Sequence, residues 1–242
     1  MMDLLLRRAA AAGIPLTADQ ARKICAYHQM LTEANARFNL TRVSDDPAEA
    51  IDRNYLDSLS PLKQGLPGSV KRAIDVGSGA GFPGIPLSIC LPQVEFVLLD
   101  SLGKRVDFLN DVIAKLDLNA RAVHLRAEDG ARRAEYREKF DLATARAVAA
   151  LTLLAEYLLP FVRVGGVMLC YKGPALDQEL AEAEYALKVL GGRLAEDRRV
   201  DLPGRDWDHR LCFIEKARAT PKAYPRKAGK PAAAPLGSGA QK

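Results

Sequence analysis

The chain has 242 residues, of which 48% are hydrophobic and 27% are charged, so its composition is that of an ordinary globular protein. These values exclude the collagen-like and wholly disordered classes, and no apolar run in the sequence is long enough to span a membrane. The formal net charge of +5 favours an anionic partner. The length allows one α/β domain with an appendage, or two small domains.

The first residues do not have the pattern of a secretory signal. Their apolar run extends only from Leu4 to Leu6, and Arg7 and Arg8 follow it directly. The four cysteines lie far apart without a C-x-x-C pair, and the three histidines lack the spacing of zinc ligands. We therefore expect a cytoplasmic protein with reduced thiols and no metal site.

Residues 1–66 are predicted to form a small helical appendage. Thr17 and Gln20 form a T-x-x-Q capping box, and apolar side chains then recur at steps of three and four, which is typical of an amphipathic helix. A second helix is predicted from about residue 47 to 62. The sequence KQGLPGS, with two glycines and a proline, then indicates a linker.

From Val70 onward, short β-rich runs alternate with helical segments. The predicted strands lie in RAIDVG, EFVLLD, RAVHLRAE, FDLATARAV, GGVMLCYKG and RLCFIEKA. Apolar periodicity predicts one helix around 106–116 and another around 176–190, which ends at Gly191. This alternation predicts a mainly parallel sheet with helices on both faces over residues 67–217.

Four glycines, at positions 77, 79, 81 and 84, directly follow the first predicted strand. Open α/β folds bind ligands at this edge of the sheet, and the absence of side chains lets a ligand reach the backbone. Asp100 ends the second strand, where a carboxylate can accept both hydrogen bonds of a ribose diol. The pattern predicts a nucleoside-containing cofactor; the alternative is a tight turn followed by a helix cap.

Two kinds of cofactor are compatible with the glycines. The sequence GAGFPG at 79–84 satisfies the dinucleotide fingerprint, whereas DVGSGAG at 75–81 resembles the first motif of class I S-adenosylmethionine (SAM) methyltransferases. Pro83 and Pro86 remove N–H groups that would otherwise bind a pyrophosphate at the start of the next helix. Because SAM has no phosphate, the prolines favour SAM.

Longer runs resemble one family more closely. IDVGSGAGFPGIPLSI, LLDSLGKRVDFL, FDLATARAVAAL and YPRKAGKPAAAPL, with NLT at 39–41 and DSL at 57–59, are similar to the RsmG family, also called glucose-inhibited division protein B. The resemblance extends over nearly the whole chain. It implies a cytoplasmic bacterial enzyme with a Rossmann-like class I SAM-dependent methyltransferase domain. Such an enzyme transfers a methyl group from SAM to N7 of one guanine in the 16S rRNA of the small ribosomal subunit.

The resemblance also implies which residues form the site. The cofactor-binding positions it assigns are Gly77, Gly79 and Phe82 in the glycine loop, Asp100 at the ribose, and Ala127 and Glu128 beside the adenine. It places Arg146 at the mouth of the transfer pocket, as a catalytic residue that also borders the cofactor. The alternative role for Arg146 is a structural ion pair.

The end of the fourth strand gives an independent indication of the chemistry. It contains no N-P-P-Y, which is typical of methylation at an exocyclic amine, and no Pro-Cys, which is typical of thiolate addition to a pyrimidine. Guanine N7 has an in-plane lone pair and no proton, so transfer to it needs alignment rather than a general base. Since the base gains positive charge, Arg146 is expected to position a group rather than to stabilise that charge.

Residues 218–242 are predicted to be a basic, flexible tail, rich in Ala, Pro, Gly and Lys. Residues 217–242 hold six of the 35 basic residues and none of the 30 acidic ones, so all of the positive excess lies there. The tail is either a solubilising end or an arm that binds phosphates.

The favoured hypothesis is a monomeric rRNA methyltransferase whose appendage and tail hold the RNA. One alternative is a SAM-dependent or dinucleotide-dependent enzyme that acts on a small molecule. The other alternative is a non-catalytic rRNA-binding factor.

Overall fold

The computed structural model describes residues 1–38, 40–41, 44–63, 65–66, 69–146 and 149–237; Asn39 of the NLT motif and the last five residues of the tail lie outside these ranges. The strands are β1 (Arg72–Val76), β2 (Glu95–Asp100), β3 (Ala120–His124), β4 (Phe140–Arg146), β5 (Val162–Lys172), β6 (Gly192–Val200) and β7 (His209–Lys216). They form one seven-stranded sheet in the order β3-β2-β1-β4-β5-β7-β6.

The pairing of the strands confirms the predicted fold class. Strands β1 to β5 pair in parallel, and β7 runs antiparallel to both β5 and β6. The antiparallel β6–β7 hairpin therefore closes a mainly parallel sheet, as in class I methyltransferases. Because the first five strands are parallel, the carboxyl ends of β1, β2, β3 and β4 lie along one edge, and this edge holds the candidate site.

Helices cover both faces of the sheet. They are α1 (Met2–Ala12), α2 (Ala18–Phe38), α3 (Pro47–Ala50), α4 (Asp57–Leu59), α5 (Gly84–Cys90), α6 (Gly103–Leu116), α7 (Ala127–Gly130), α8 (Leu151–Leu158), α9 (Leu176–Leu190) and α10 (Lys230–Ala233). Buried side chains of α1, α2, α5 and α6 pack on one face of the sheet, and those of α8 and α9 pack on the other. The predicted end of α9 is confirmed, because Gly191 adopts the left-handed conformation with φ of 85°.

The predicted capping box is found at the start of α2, and a further helix that the sequence did not predict, α1, precedes it. The predicted capping box is present, since the N–H of Thr17 donates to Oε1 of Gln20 (2.8 Å) and the N–H of Gln20 donates to the Thr17 hydroxyl (3.2 Å). Helix α1 precedes it, and its buried Leu5 joins the same core as α2. The division of the chain at residues 66 and 217 stays a prediction.

The second predicted helix is a helical segment of changing pitch. Between α3 and α4 the backbone forms a π-helix (Ile51–Leu56), and a 3₁₀ turn (Ser60–Leu62) follows α4. Asp46 caps the start by accepting hydrogen bonds from two N–H groups of α3. π-Turns inside helices are frequent at functional sites, and this one directly precedes Asp57.

The expectation of a disordered tail is wrong for residues 218–237, which pack against the α/β domain. Thr220 is buried, and its hydroxyl accepts a hydrogen bond from Nζ of Lys216 (2.7 Å). Arg226 forms an ion pair with the buried carboxylate of Glu156 in α8 (2.6 Å). Composition indicated disorder because the segment has few apolar residues. It is ordered because its backbone and Arg226 bind polar groups supplied by distant parts of the domain.

Burial lowers the pKa of Lys216 to about 8. Its ammonium also donates to the carbonyl oxygen of Val162 (3.1 Å) and lies 3.2 Å from the carboxylate of Glu138. This lysine therefore joins the end of β7, the start of β5 and the beginning of the C-terminal segment.

The cysteines remain free thiols, and the fold brings two of them together. Cys170 in β5 and Cys212 in β7 are register partners on adjacent strands, and both are buried. Burial raises the pKa of Cys212 to about 12, so this thiol is inert at neutral pH. Among the described residues, no helix combines the length and the apolar character that crossing a bilayer requires.

Candidate active site

The glycine loop between β1 and α5 is folded against the end of β2. Gly77 and Gly79 have φ of 73° and 60°, in the left-handed region that glycine adopts without strain. The N–H of Gly77 donates to the carbonyl oxygen of Leu99 (2.8 Å), and that of Gly79 donates to Oδ2 of Asp100 (2.8 Å). A Cβ at Gly79 would meet only the Gly77 carbonyl oxygen, at 3.9 Å. The loop thus leaves open space beside its backbone.

Asp100 stands at the carboxyl end of β2 and is only 2% exposed. Besides the bond from Gly79, its carboxylate accepts one from the N–H of Leu102 through Oδ1 (2.9 Å). The guanidinium of Arg105 lies 3.6 Å from Oδ2. A carboxylate offers about four acceptor positions, so this one is held firmly and can still accept two more hydrogen bonds. That capacity matches a diol.

The N–H groups in the first turn of α5 donate hydrogen bonds to acceptors within the protein. The N–H of Gly84 donates to Oδ2 of Asp75 (3.1 Å), that of Ile85 donates to the carbonyl oxygen of Gly81 (2.7 Å), and Pro86 has none. The dinucleotide fingerprint requires such groups to be directed at a pyrophosphate. The geometry therefore favours a cofactor without phosphate.

Gly84 has no room for a side chain. A Cβ there would overlap Cδ2 of Leu98 and lie 2.8 Å from Oδ2 of Asp75. We expect Gly84→Ala to lower the free energy of unfolding by about 2–3 kcal/mol, because overpacking a core forces neighbouring side chains to move. Urea denaturation measures the effect. Gly173→Ala is the matched control, since a Cβ at Gly173 meets nothing within 4 Å; equal losses in both variants would contradict this account.

Asp75 is fully buried beneath the glycine loop. Its Oδ1 accepts a hydrogen bond from the Thr144 hydroxyl of β4 (2.9 Å), while its Oδ2 holds the start of α5 through Gly84. Burial raises the pKa of Asp75 to about 6, although the hydrogen bonds it accepts act in the opposite direction. The carboxyl therefore joins β1, β4 and α5 without facing a ligand.

This raised pKa predicts a pH dependence of stability. The folded state binds the Asp75 proton more tightly than the unfolded state, so its stabilising contribution is complete below about pH 4 and is lost as the pH rises through about 6. Relative to Asp75→Asn, which cannot titrate, the wild type should lose at most about 3 kcal/mol between these limits. Urea denaturation of both proteins from pH 4 to 7 measures this difference. Parallel stability profiles would refute the assignment.

A cavity of about 570 Å³ opens at the carboxyl edge of the sheet, and this volume suits a cofactor-sized ligand. The seven residues that the sequence singled out all line it: Gly77, Gly79, Phe82, Asp100, Ala127, Glu128 and Arg146. The structure therefore brings the predicted residues together, whereas their roles stay predictions. The lining also includes residues that the sequence did not suggest, among them Leu40, Thr41, Leu125, Tyr157, Gly229 and Ala232.

Arg146 ends β4 and connects the cavity to the N-terminal helices. Its Nη1 donates to Oδ2 of Asp57 (3.0 Å) and to the carbonyl oxygen of Arg53 (2.9 Å). Its guanidinium carbon lies 4.9 Å from the ring centroid of Phe82. The structural ion pair thus exists, and the same side chain also forms part of the cavity wall.

Asp57 joins Arg146 to the last hairpin. Its Oδ1 lies 3.0 Å from Nδ1 of His209, and its carboxylate is 7% exposed. Because each carboxylate oxygen has its own partner, Asp57 fixes the orientation of the Arg146 guanidinium and of the His209 imidazole. The ring of Trp207 packs beside His209, with a centroid distance of 5.2 Å, and the guanidinium of Arg53 lies over the indole.

Two cations near the carboxyl edge of the sheet, Lys172 and Arg105, have partners within the protein. Nζ of Lys172 lies 2.5 Å from Glu179 and donates to the carbonyl oxygen of Ala149 (3.0 Å). Arg105 is directed at Asp100. Neither cation is available to a phosphate without breaking a contact. Over the described part of the chain, no group of three or more His, Cys, Asp or Glu side chains could hold a metal ion.

Comparison with known proteins identifies both a family and a fold. Residues 20–199 match the GidB family, described as rRNA small subunit methyltransferase G. The Ribosomal RNA small subunit methyltransferase G of Alkaliphilus oremlandii is 46% identical over 237 residues, which is 98% of this chain and 99% of that protein.

Solved structures resemble the chain in fold alone. The [4+2]-cyclase SpnF has a TM-score of 0.55 at 14% identity, covering 86% of this chain and 99% of that one. Aeropyrum pernix fibrillarin in complex with natively bound S-adenosyl-L-methionine has a TM-score of 0.50 at 18% identity, covering 67% of this chain and 74% of that one. A cyclase and a fibrillarin on one fold illustrate that the sheet does not determine the reaction.

Proposed function

The chain belongs to the GidB family, rRNA small subunit methyltransferase G, and from that premise we propose that it transfers a methyl group from SAM to N7 of a guanine in 16S rRNA. One observation carries the proposal. The cavity at the carboxyl edge combines a glycine loop, a buried carboxylate at the end of β2 and an arginine at the end of β4. The cavity suits a nucleoside cofactor, and the family supplies the reaction.

The residues of the cavity fit SAM. Asp100 has acceptor positions left for the ribose diol, and the open backbone at Gly79, beside Gly77 in the cavity lining, leaves room for the amino-acid end. Ala127 and Glu128, which line the cavity, would hold the adenine, and Phe82 lines the wall near Arg146. SAM supplies an electrophilic methyl group on a sulfonium. The α5 turn supports SAM over a dinucleotide, because its N–H groups are already paired within the loop.

The side chains at the cavity mouth suit an acceptor that needs no deprotonation. N7 of guanine attacks with a lone pair, so the protein has to align the base and exclude water. Arg146 is paired with Asp57, and the pair is neutral as a whole. Such a pair can donate hydrogen bonds to the base or a phosphate without opposing the positive charge that the base gains. Arg146 is therefore the catalytic residue in the sense of positioning the acceptor.

The RNA binds on the side of the N-terminal helices. Arg53 has an exposed side chain over Trp207, next to Arg146, and this surface continues the mouth of the cavity. The exposed Lys227 and Lys230 of the C-terminal segment flank Gly229, which lines the cavity, and add positive charge to that segment. The enzyme acts as a monomer in the cytoplasm, and the small ribosomal subunit or its 16S rRNA is the substrate.

A transfer assay tests the acceptor. The protein and methyl-labelled SAM are incubated with small ribosomal subunits from a strain that lacks any enzyme of this family. A parallel reaction uses subunits from the parent strain, which are already modified. We expect label in the 16S rRNA of the first and none in the second. SAM binding without label in either subunits or free rRNA would favour an enzyme that acts on a small molecule. Rescue of cells by a variant that cannot bind SAM would favour a non-catalytic rRNA-binding factor.

A further inference from the structure

The C-terminal segment forms part of the cavity wall. We call residues 218–237 the C-terminal strap. Gly229 and Ala232 of this strap line the cavity together with Glu128 and Tyr157. The N–H of Gly229 donates to Oε1 of Glu128 (3.0 Å), a carboxylate that is itself buried. The strap therefore reaches the cavity through its own backbone.

One ion pair outside the cavity holds the strap. Glu156 of α8 is 1% exposed and accepts four hydrogen bonds from Arg226, one from its backbone N–H (2.7 Å) and three from its guanidinium (2.6–3.1 Å). The next residue of α8, Tyr157, lines the cavity. Two neighbouring residues of α8 therefore have separate roles: Glu156 binds the strap, and Tyr157 forms part of the cavity wall.

Two arginines that follow α7 hold the first residues of the strap through hydrogen bonds to its backbone. Arg132 donates to the carbonyl oxygen of Pro225 (2.6 Å), and Arg137 donates to those of Tyr224 and Thr220 (both 2.8 Å). These contacts precede Arg226 along the chain, whereas Gly229 and Ala232 follow it. Release of Arg226 would therefore loosen the part of the strap that borders the cavity and leave its first residues attached. The loosened part would keep the Gly229–Glu128 hydrogen bond and the buried Pro231.

We propose that the C-terminal strap is a wall of the SAM site and that the Arg226–Glu156 pair sets the affinity for SAM by keeping Gly229 and Ala232 in place. Arg226 is a positioning residue, because it contacts Glu156 and not the cavity. The identity of the ligand rests on the proposed function, whereas the role of the strap rests on the contacts above. A ligand buried on one more side has a smaller solvent-exposed surface and is held more tightly.

Calorimetry with SAM on the full-length protein tests the proposal. We expect Arg226→Ala to weaken SAM binding about tenfold or more, because it removes the ion pair that holds the strap against α8 beside Tyr157. A chain that ends after Lys227 keeps the ion pair but lacks Gly229 and Ala232, and it should lose affinity similarly. Arg193→Ala is the matched control, since it breaks the 2.5 Å pair with Glu215 on the β6–β7 hairpin. That control should bind SAM as the wild type does.

Trypsin provides a second readout, in which the effect of SAM on the cleavage rate distinguishes a wall of the SAM site from a merely structural tether. Cleavage after Lys227 should be slow in the wild type and slower with SAM, but fast and insensitive to SAM in Arg226→Ala. If either Arg226→Ala or the shortened chain binds SAM within twofold of the wild type, the inference is overturned while the proposed function stands. If the wild type does not bind SAM at all, the proposed function fails and the inference fails with it.

Discussion

Alanine in place of Asp100 should raise the Kd for SAM at least a hundredfold. The variant loses the acceptors for the ribose diol and also releases the N–H groups of Gly79 and Leu102 that the carboxylate holds. Hydrogen bonds to a charged group contribute about 1.5–3 kcal/mol each, so losing two of them corresponds to a factor of about 10² or more. Calorimetric titration measures the change.

A matched control separates recognition from general damage. Asp107→Ala removes an exposed carboxylate from the neighbouring helix α6 and should leave SAM binding unchanged. Asp100→Asn keeps one carbonyl oxygen and should fall between alanine and the wild type. If Asp100→Ala binds SAM within threefold of the wild type, Asp100 serves only to hold the glycine loop.

Replacing Arg146 by alanine should lower the kcat of methyl transfer about 10²- to 10³-fold at saturating SAM and RNA, because the acceptor base is no longer aligned. Single-turnover transfer to small ribosomal subunits measures this loss. Arg163→Ala is the control, since it breaks a more exposed 2.6 Å ion pair, with Asp141, near the start of β5. It should retain nearly full activity.

A double variant distinguishes positioning from structural pairing. Arg146→Ala leaves the nearly buried carboxylate of Asp57 without its guanidinium, and this costs stability on its own. Adding Asp57→Asn removes that uncompensated charge. If the double variant regains stability but stays inactive, Arg146 positions the acceptor; if activity returns as well, the arginine was needed only to neutralise Asp57.

The sequence was informative where the signal is local. Alternation of short apolar runs with helical periods predicted a mainly parallel sheet and the helices α2, α6 and α9, and the glycines with Asp100 marked the edge of the sheet where the cavity lies. Both signals depend on neighbours within about twenty residues. They were sufficient for the fold class, the glycine loop and Asp100, whereas Phe82, Ala127, Glu128 and Arg146 were assigned by the resemblance to a known family.

Contacts between distant segments could not be predicted in the same way. Asp57 lies 89 residues from Arg146 and 152 from His209, and only the fold brings the three together. The tail was expected to be disordered from its local composition. That composition carries no information about Glu156, the partner of Arg226, which lies 70 residues earlier in the chain. A basic segment with few apolar residues can thus be ordered by a few charged and backbone hydrogen bonds.

The chemical identity of the methylated nucleoside tests the central claim most directly. Small ribosomal subunits from a strain lacking this family are incubated with the protein and SAM, and their 16S rRNA is digested to nucleosides for mass spectrometry. The account predicts one new 7-methylguanosine per 16S rRNA molecule, and at a SAM concentration near the Kd of the wild type it predicts a large loss of this product with Asp100→Ala. A methyl group on another base or atom, or equal transfer by Asp100→Ala at that concentration, would contradict it.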